Sequence, residues 1–460
     1  MGQKPNVLII KTDQQSLWTL SCYGGTLVHT PHIDQLADTG AKFTNYFTNS
    51  AVCTPSRGSF ITGRYPHHHG AFRNDQSLYK DEVTLAHVLK QNGYQTGYAG
   101  KWHLHGNDSP GWMSQENAMG FDDCKYMFNS GHFKEVVEHE AGIEVSYEIG
   151  DEETYMTDWL TQKALDYFAK QTKQHQPFFY MLSIPDPHQP FNVRPPYDTM
   201  YDPQDMPIPS TFDENPLPDW AEYGTWGREA TFPLDLEDRE ERFRSLKAQY
   251  CGQVKCIDDA VGRMVHSLKE LNLYDDTLIV FTTDHGEYMG EHGLMYKNNL
   301  YEAAYHIPLI IRWPEKVKEG TVVDRFVATV DFQQTLLGLL NLKPSGREQG
   351  RDASPFLQNE NIPWEDEVFI HPSDVPRTGI FTPSHELAYV GTGWEGQEFA
   401  DHILFDRMKD PMQMRNIFDD PEERDVQKHL TARIIRHHQA LGSNPEILPK
   451  SIRQKMGDEQ

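Results

Sequence analysis

Apolar runs of strand length alternate along this chain with stretches whose apolar residues recur at helical spacing. Asn6–Lys11 opens the series and reads as a strand buried on both faces of a parallel sheet. Helical patterning follows over His32–Gly40, where Asp34 precedes Leu36 and Ala37 and Gly40 supplies a stop. Val83–Asn92 repeats that logic and ends at Gly93, and Gln95–Ala99 is a short strand before Gly100, Lys101, Trp102 and His103. Thr154–Lys173 predicts a long amphipathic helix and Pro177–Ile184 the next buried strand. Glu240–Leu271 carries Ile257, Val261 and Val265 at helical spacing, and Thr277–Thr283 is a second strong core strand. Ile307–Trp313 and a helix near Asp331–Leu340 continue the alternation. The pattern predicts an α/β fold: a large doubly wound sheet, mixed or parallel, flanked by helices.

Two segments break the rhythm. From about Pro185 to Arg239 prolines, acids and aromatics replace periodicity, which reads as an irregular rim over a cleft rather than a separate domain. From about Trp364, short strands and turns precede a terminal helix over Glu422–Leu441. The predicted organisation is a main α/β domain over residues 1–363, with its rim excursion at about 185–239. A smaller C-terminal α+β subdomain, with a small antiparallel sheet and the terminal helix, takes residues 364–460.

Composition narrows the partners. The net charge of −26 repels polyanions, so neither a nucleic acid nor an anionic membrane is expected as a partner. An anionic ligand would need local positive groups that reverse the global sign. No apolar run approaches the ~18 residues of a spanning helix. The apolar strand at Asn6–Ile10 leaves no room for a signal segment. The expected compartment is therefore cytoplasmic, or periplasmic or extracellular if a signal was removed beforehand. Cys22, Cys53, Cys124, Cys251 and Cys256 are odd in number and lack CxxC pairs, which argues against a disulfide framework and a zinc site. Cys251 and Cys256 read as buried packing residues.

Candidate chemistry sits where strands end. Asp13-Gln14 and Asp284-His285 each follow a buried strand, at the edge where open α/β sheets bind ligands. Two carboxylates, an amide oxygen and an imidazole suit a hard divalent cation; the alternative is that both aspartates cap turns. In Cys53-Thr54-Pro55-Ser56-Arg57, Pro55 suits a first helical turn and places Cys53 at a helix N-terminus, which favours anions. Arg57 can turn its fork back toward the same spot. Taken alone, Cys53 reads either as an activated thiolate or as a buried packing residue.

Cys53–Arg57 with Thr62-Gly63-Arg64 resembles the C-x-P-S-R…T-G-R signature of the formylglycine-dependent type I sulfatases, in the alkaline phosphatase-like superfamily. Further segments resemble that family in order: Asp13-Gln14, Gly100-Lys101-Trp102-His103, Pro187-His188-Gln189-Pro190-Phe191, Asp284-His285-Gly286-Glu287, Lys297, and Leu404-Phe405-Asp406 through Asn416-Ile417. The resemblance implies that a formylglycine-generating maturation enzyme oxidises Cys53 to an aldehyde. It also implies one divalent cation, Ca²⁺ first and Mn²⁺ or Mg²⁺ otherwise, held by Asp13, Gln14, residue 53, Asp284 and His285. Hydrated to a geminal diol, residue 53 would attack sulfur in line and then expel sulfate from carbon. Arg57, Lys101, His188 and Lys297 would meet the sulfuryl oxygens, His103 would act as base in the elimination, and His188 or Lys297 would protonate the leaving oxygen.

The expected reaction is hydrolysis of a sulfate ester on a carbohydrate, with exo action on glycan-derived saccharides. The chain departs from the family's common Asp-Asp and Asp-Asn pairs at Gln14 and His285. Those variations also occur in the phosphonate monoester and phosphodiester hydrolases of the superfamily, which supply the alternative reading. A non-catalytic sulfated-glycan-binding protein is a third. His67-His68-His69 could reach the pocket rim or form an ordinary loop, and Glu291 and His292 read as structural or supporting groups.

Overall fold

The structure is a computed structural model that describes residues 4–172, 176–373, 376–391 and 402–458. Eight strands form one sheet in the spatial order Thr321–Val323, Ala41–Phe43, Leu309–Arg312, Thr277–Thr283, Asn6–Thr12, Phe178–Ser183, Gln95–Lys101 and Asp123–Phe128. Asn6–Thr12 lies at the centre, parallel to both neighbours, with Ile9 opposite Met181 on one side and Val280 on the other. Leu309–Arg312 runs antiparallel to both of its neighbours, so the sheet is mixed, within the predicted class.

Successive side chains on a strand point to opposite faces, and both faces of the central strands are covered. Val7, Ile9, Met181 and Val280 pack on one side with Phe60, Leu89, Phe332 and Leu336 from three helices. Leu8, Ile10, Leu182 and Phe281 pack on the other with Leu36, Phe168, Ile257 and Val261. Each such side chain, withdrawn fully from water, contributes about 1.5–3 kcal/mol. This double burial is why the central strands read as largely apolar runs.

Parallel alignment sends the ends of Asn6–Thr12, Phe178–Ser183, Gln95–Lys101 and Thr277–Thr283 to one edge. The strand predicted over Gln95–Ala99 runs two residues further, to Lys101, and so delivers that lysine to the edge. Gly100 makes this possible: its φ is +101°, and a Cβ there would lie 1.9 Å from the Ser183 carbonyl oxygen. The helix Pro31–Asp38 starts earlier than the pattern predicts because Pro31 takes its first turn.

The segment after Pro185 is irregular apart from short turns and the helix Thr225–Thr231. It is fastened to the long helix Arg239–Glu270 by hydrogen bonds from Lys247 Nζ to the Pro207 carbonyl (2.8 Å) and from Gln249 Nε2 to the Asp198 carbonyl (2.7 Å). Phe191, Met206, Phe212 and Phe232 share an apolar cluster with Phe243, Tyr250 and Val254 of that helix.

The C-terminal part holds an antiparallel sheet of Val368–Ile370, Arg377–Phe381, His385–Val390 and Ile403–Asp406. One face, with Ile380, Leu387 and Leu404, packs on Leu430 and Ile434 of the helix Arg424–Leu441. The other face, with Ile370, Phe381 and Phe405, packs on Phe47, Tyr301 and Phe326 of the main body. Asn416 lies along the last strand, its Oδ1 accepting from the Leu404 amide at 3.0 Å and its Nδ2 donating to the His402 carbonyl at 2.8 Å. Among the described residues no helix is long and apolar enough to cross a membrane.

Candidate active site

Asp13 and Asp284 stand side by side just beyond the two central strands, both fully buried. A single guanidinium spans them: Arg57 donates from Nε to Asp284 Oδ2 (2.8 Å) and from Nη2 to Asp13 Oδ2 (3.1 Å). Its Nη1 donates to the Lys101 carbonyl and to Ser183 Oγ, both at 2.8 Å. The helix Cys53–Thr62 presents Arg57 one turn in from Cys53, and it is docked by Ser56 Oγ, which donates to the Asp284 carbonyl at 2.5 Å. The structure thus places the Arg57 fork on the two carboxylates. Asp13 has two cationic partners, Lys101 and Arg57: burial raises its pKa, but Lys101, Arg57, His188 and a bond from His132 hold it well below the ordinary range.

Cys53 Sγ lies 3.1 Å from His285 Nε2 and 3.8 Å from Asp13 Oδ1. Here Sγ marks the place that the oxidised side chain implied by the sequence resemblance would take. His285 Nε2 is in turn 3.8 Å from Asp13 Oδ1 and 3.7 Å from Asp284 Oδ1. Its Nδ1 is 3.0 Å from the Gly286 carbonyl, which can only accept, so Nδ1 carries the hydrogen and the Nε2 lone pair faces the cluster. Donor atoms of Asp13, Cys53, Asp284 and His285 all lie within 4.8 Å of one another. Carboxylate oxygens at one buried point, joined by an oriented imidazole and residue 53, fit a divalent cation.

Gln14 is fully buried with φ +62°, and its Oε1 accepts from Lys297 Nζ at 2.5 Å. Lys297 also lies 2.7 Å from His188 Nε2. Across from this pair, Lys101 Nζ is 2.5 Å from Asp13 Oδ2, 2.7 Å from His132 Nε2 and 3.9 Å from Cys53 Sγ. Burial and Asp13 push the Cys53 thiol up, but Lys101, Lys297 and His285 outweigh them and hold it well below the ordinary thiol range. His188 Nδ1 is 2.8 Å from the Gln189 carbonyl, which fixes its hydrogen there and leaves Nε2 for the pocket. His103 is hydrogen-bonded to Cys53, and burial, then Lys101, lowers its pKa to about 4. Its Nδ1 has no hydrogen-bond partner among the described residues.

Backbone strain gathers at the same edge. Gln14, His103, Tyr296 and Asn298 all have φ between +56° and +73°, and the last two flank Lys297. The ten residues expected at the site therefore converge from six segments of the chain.

His132 is the residue that the sequence pattern missed. It follows the outer strand Asp123–Phe128 in Ser130-Gly131-His132-Phe133, a strand-end loop at the same edge, and that position was its one available signal. His67, His68 and His69 form a short helix with Pro66. His69 lies under Gly58, where a Cβ would sit 2.3 Å from its ring, and His67 stacks on Phe72 at 4.5 Å. His292 stacks on Tyr301 at 3.5 Å and bonds to Glu214 at 2.6 Å, a structural position. Cys251 and Cys256 are fully buried packing residues.

Parallel strands delivering two buried carboxylates, a residue at a helix N-terminus and a ring of lysines and histidines form a site suited to a divalent cation and an anionic ester. The comparisons carry this further. The Sulfatase family model matches residues 5–342, and the C-terminal model of N-sulphoglucosamine sulphohydrolase matches residues 290–440. The chain belongs to the sulfatase family and is a sulfatase, a sulfuric ester hydrolase. Membership implies a metal ion and a formylglycine derived from Cys53. It is similar to an ulvan-active sulfatase of Formosa agariphila, 29% identical over 95% of this chain and 82% of that one. Among solved structures, one in complex with its substrate D-glucosamine-2-N,6-O-disulfate superposes with a TM-score of 0.81 at 24% identity, covering 96% of this chain and 99% of that one. The phosphonate monoester hydrolase of Silicibacter pomeroyi superposes with a TM-score of 0.77 at 26% identity, covering 95% and 96%.

Proposed function

We propose that this sulfatase removes sulfate from a sulfated saccharide, with Cys53 in its formylglycine form as the nucleophile. The observation that carries the reading is the setting of Cys53. The residue is 1% exposed, with the carboxylate and imidazole cluster on one side and two lysines facing it, each paired with a histidine. The saccharide follows from the similarity to an ulvan-active sulfatase and from the match to the N-sulphoglucosamine sulphohydrolase C-terminal model.

Asp13, Gln14, Asp284 and His285 would hold the cation with residue 53, and the oxygen-rich set favours Ca²⁺, with Mn²⁺ or Mg²⁺ next. Bound there, the cation and the aldehyde would together supply a hydrated nucleophile and polarise it against sulfur. Lys101 and Lys297 offset the sulfuryl charge, locally reversing the sign of a chain at −26. Arg57 braces Asp13 and Asp284, so its effect on the ester is exerted through those carboxylates. His103, next to Cys53 and neutral, is placed to take a proton from that residue. Neutral His188, with its hydrogen on Nδ1, accepts from Lys297 through Nε2 and so would aim that ammonium as the proton donor to the departing oxygen. His132 lies beside His188 with 19% of its side chain exposed.

The test is sulfate release from a panel of sulfated mono- and oligosaccharides, against an aryl sulfate, a phosphonate monoester and a phosphodiester. The protein is made with a formylglycine-generating enzyme, and the conversion of Cys53 is read by peptide mass. Turnover of a saccharide sulfate well above the phosphorus esters is expected; turnover confined to the phosphorus esters overturns the reading.

A further inference from the structure

Glu287 is fully buried two residues beyond His285, and the mechanism above does not use it. Its Oε1 accepts from the backbone amides of Met289 (3.0 Å) and Tyr296 (2.5 Å). Its Oε2 accepts from Gln14 Nε2, which also donates to Gln189 Oε1 at 2.7 Å. The other end of the Gln14 amide faces Lys297 Nζ at 2.5 Å. An ammonium only donates, so the atom opposite it must be the amide oxygen. A carboxylate whose first oxygen is already taken by two backbone N–H groups has its second oxygen left to accept. Gln14 is therefore bracketed by a donor on one side and an acceptor on the other.

We infer that Glu287 is a positioning residue that fixes the Gln14 amide so that its oxygen, and not its NH₂ group, faces the cation cluster. The inference rests on the reading of Gln14 as a cation ligand. An amide has no preference of its own between its two ends; unlike an aspartate at the same place, it can present two hydrogens to a cation. A buried carboxylate behind it removes that ambiguity and brings a negative charge close to a ligand that lacks one. The loop that carries Glu287 is itself held rigidly: Gly286 has the Ala303 carbonyl oxygen 1.9 Å from where a Cβ would be, and Ser16 Oγ donates to the Glu287 carbonyl at 2.6 Å.

The Glu287→Gln variant isolates this role without changing shape. The backbone amides of Met289 and Tyr296 will hold its oxygen, so its NH₂ group must meet the NH₂ group of Gln14. Gln14 then meets a hydrogen donor on both sides, Lys297 and the new amide, and its oxygen is no longer held in place toward the cluster. Cation binding is measured by calorimetry with Ca²⁺ and with Mn²⁺ on metal-stripped protein carrying unconverted Cys53, alongside the melting temperature without metal. E287Q is expected to bind about tenfold more weakly or worse, and the swap Q14E/E287Q, which restores an oxygen toward the cluster, to return to within about threefold of the native protein. Native affinity in a folded E287Q overturns the inference, as does a folded swap variant that stays about tenfold weak. Should E287Q lose its fold, the swap variant alone decides by the same criterion. Absence of stoichiometric cation binding in the native protein would instead overturn the metal reading of Asp13, Gln14, Asp284 and His285.

Discussion

The imidazoles of His132 and His188 lie face to face, with ring centroids 3.4 Å apart and planes within 2° of parallel, and each turns Nε2 toward a different lysine. The stack is built from below. Lys134 Nζ and Asp186 Oδ1 form a buried pair at 2.5 Å, and Asp186 Oδ2 also accepts from Tyr155 (2.6 Å) and Thr157 (2.8 Å). That network ties the loop carrying His132 to the loop carrying His188.

The stack holds His188 in place, and through it the Lys297 ammonium that would protonate the leaving oxygen. His132→Ala should therefore lower kcat/KM on a saccharide sulfate by about 10²-fold. The loss should be much smaller on nitrophenyl sulfate, whose leaving group needs no proton. The check is a set of aryl and alkyl sulfates of graded leaving-group acidity, with the melting temperature as control. A uniform loss across the set would place His132 on the sulfuryl oxygens instead.

Cys53→Ala should abolish turnover while leaving the fold intact, because the side chain is small and its neighbours are held by their own bonds to Arg57 and Lys101. Rate measurement and the melting temperature check both halves. A variant that keeps a substantial share of the rate would place the nucleophile elsewhere.

Arg57→Lys tests the brace. Arg57 fastens Asp13, Asp284, the Lys101 carbonyl and Ser183 with one planar group, and a lysine ammonium cannot span the two carboxylates in that geometry. Both aspartates would be left partly uncompensated in a site closed to water. The expected cost is about 3–5 kcal/mol in stability without metal, together with weaker cation binding. Urea unfolding of the stripped protein measures the first and calorimetry the second. Unchanged stability with impaired substrate binding would show that Arg57 meets the ester directly.

The site was legible where one strand end carries its chemistry alone. Asp13 and Asp284 could be found because each ends a largely apolar run, and such runs mark strands covered on both faces. Cys53 and Arg57 could be found because a dense motif surrounds them. What Arg57 does could not be read, since its partners come from four other places in the chain. His132 was invisible for a related reason: it follows an outer strand, Asp123–Phe128, whose partial exposure breaks the apolar run, and only the folded edge brings it to His188. The direction of Leu309–Arg312 was equally hidden, because an apolar run reads the same whichever way it pairs. The histidines of the Pro66–His69 turn were read only as loop or rim. Their place near the C-terminal subdomain depends on Val368–Ile370 and Arg424–Leu441, some 300 residues later, folding onto them.

That junction carries the last prediction. His438 is 1% exposed, with Nε2 2.7 Å from Thr378 Oγ1 and Nδ1 3.0 Å from Ser443 Oγ. Burial, then the charges of His67 and His68, lowers its pKa from 6.5 to about 4. His371 and His437, joined at 2.8 Å through their Nε2 atoms, are pushed down in the same way. With the folded pKa below the unfolded one, the unfolded chain binds more protons between those values, so this stabilisation is complete above about pH 6.5 and is lost as pH falls toward 4. For His438 alone the loss between pH 7 and pH 5 is about 2 kcal/mol. His438→Gln keeps a donor and an acceptor but cannot take up a proton. The variant should be less stable than the native protein at pH 7, and the gap should close by about 2 kcal/mol at pH 5, read from urea unfolding at the two pH values. Carboxylates elsewhere titrate identically in both proteins and cancel from the difference. A gap that is the same at both pH values would mean that the folded protein protonates His438 as readily as the unfolded chain does.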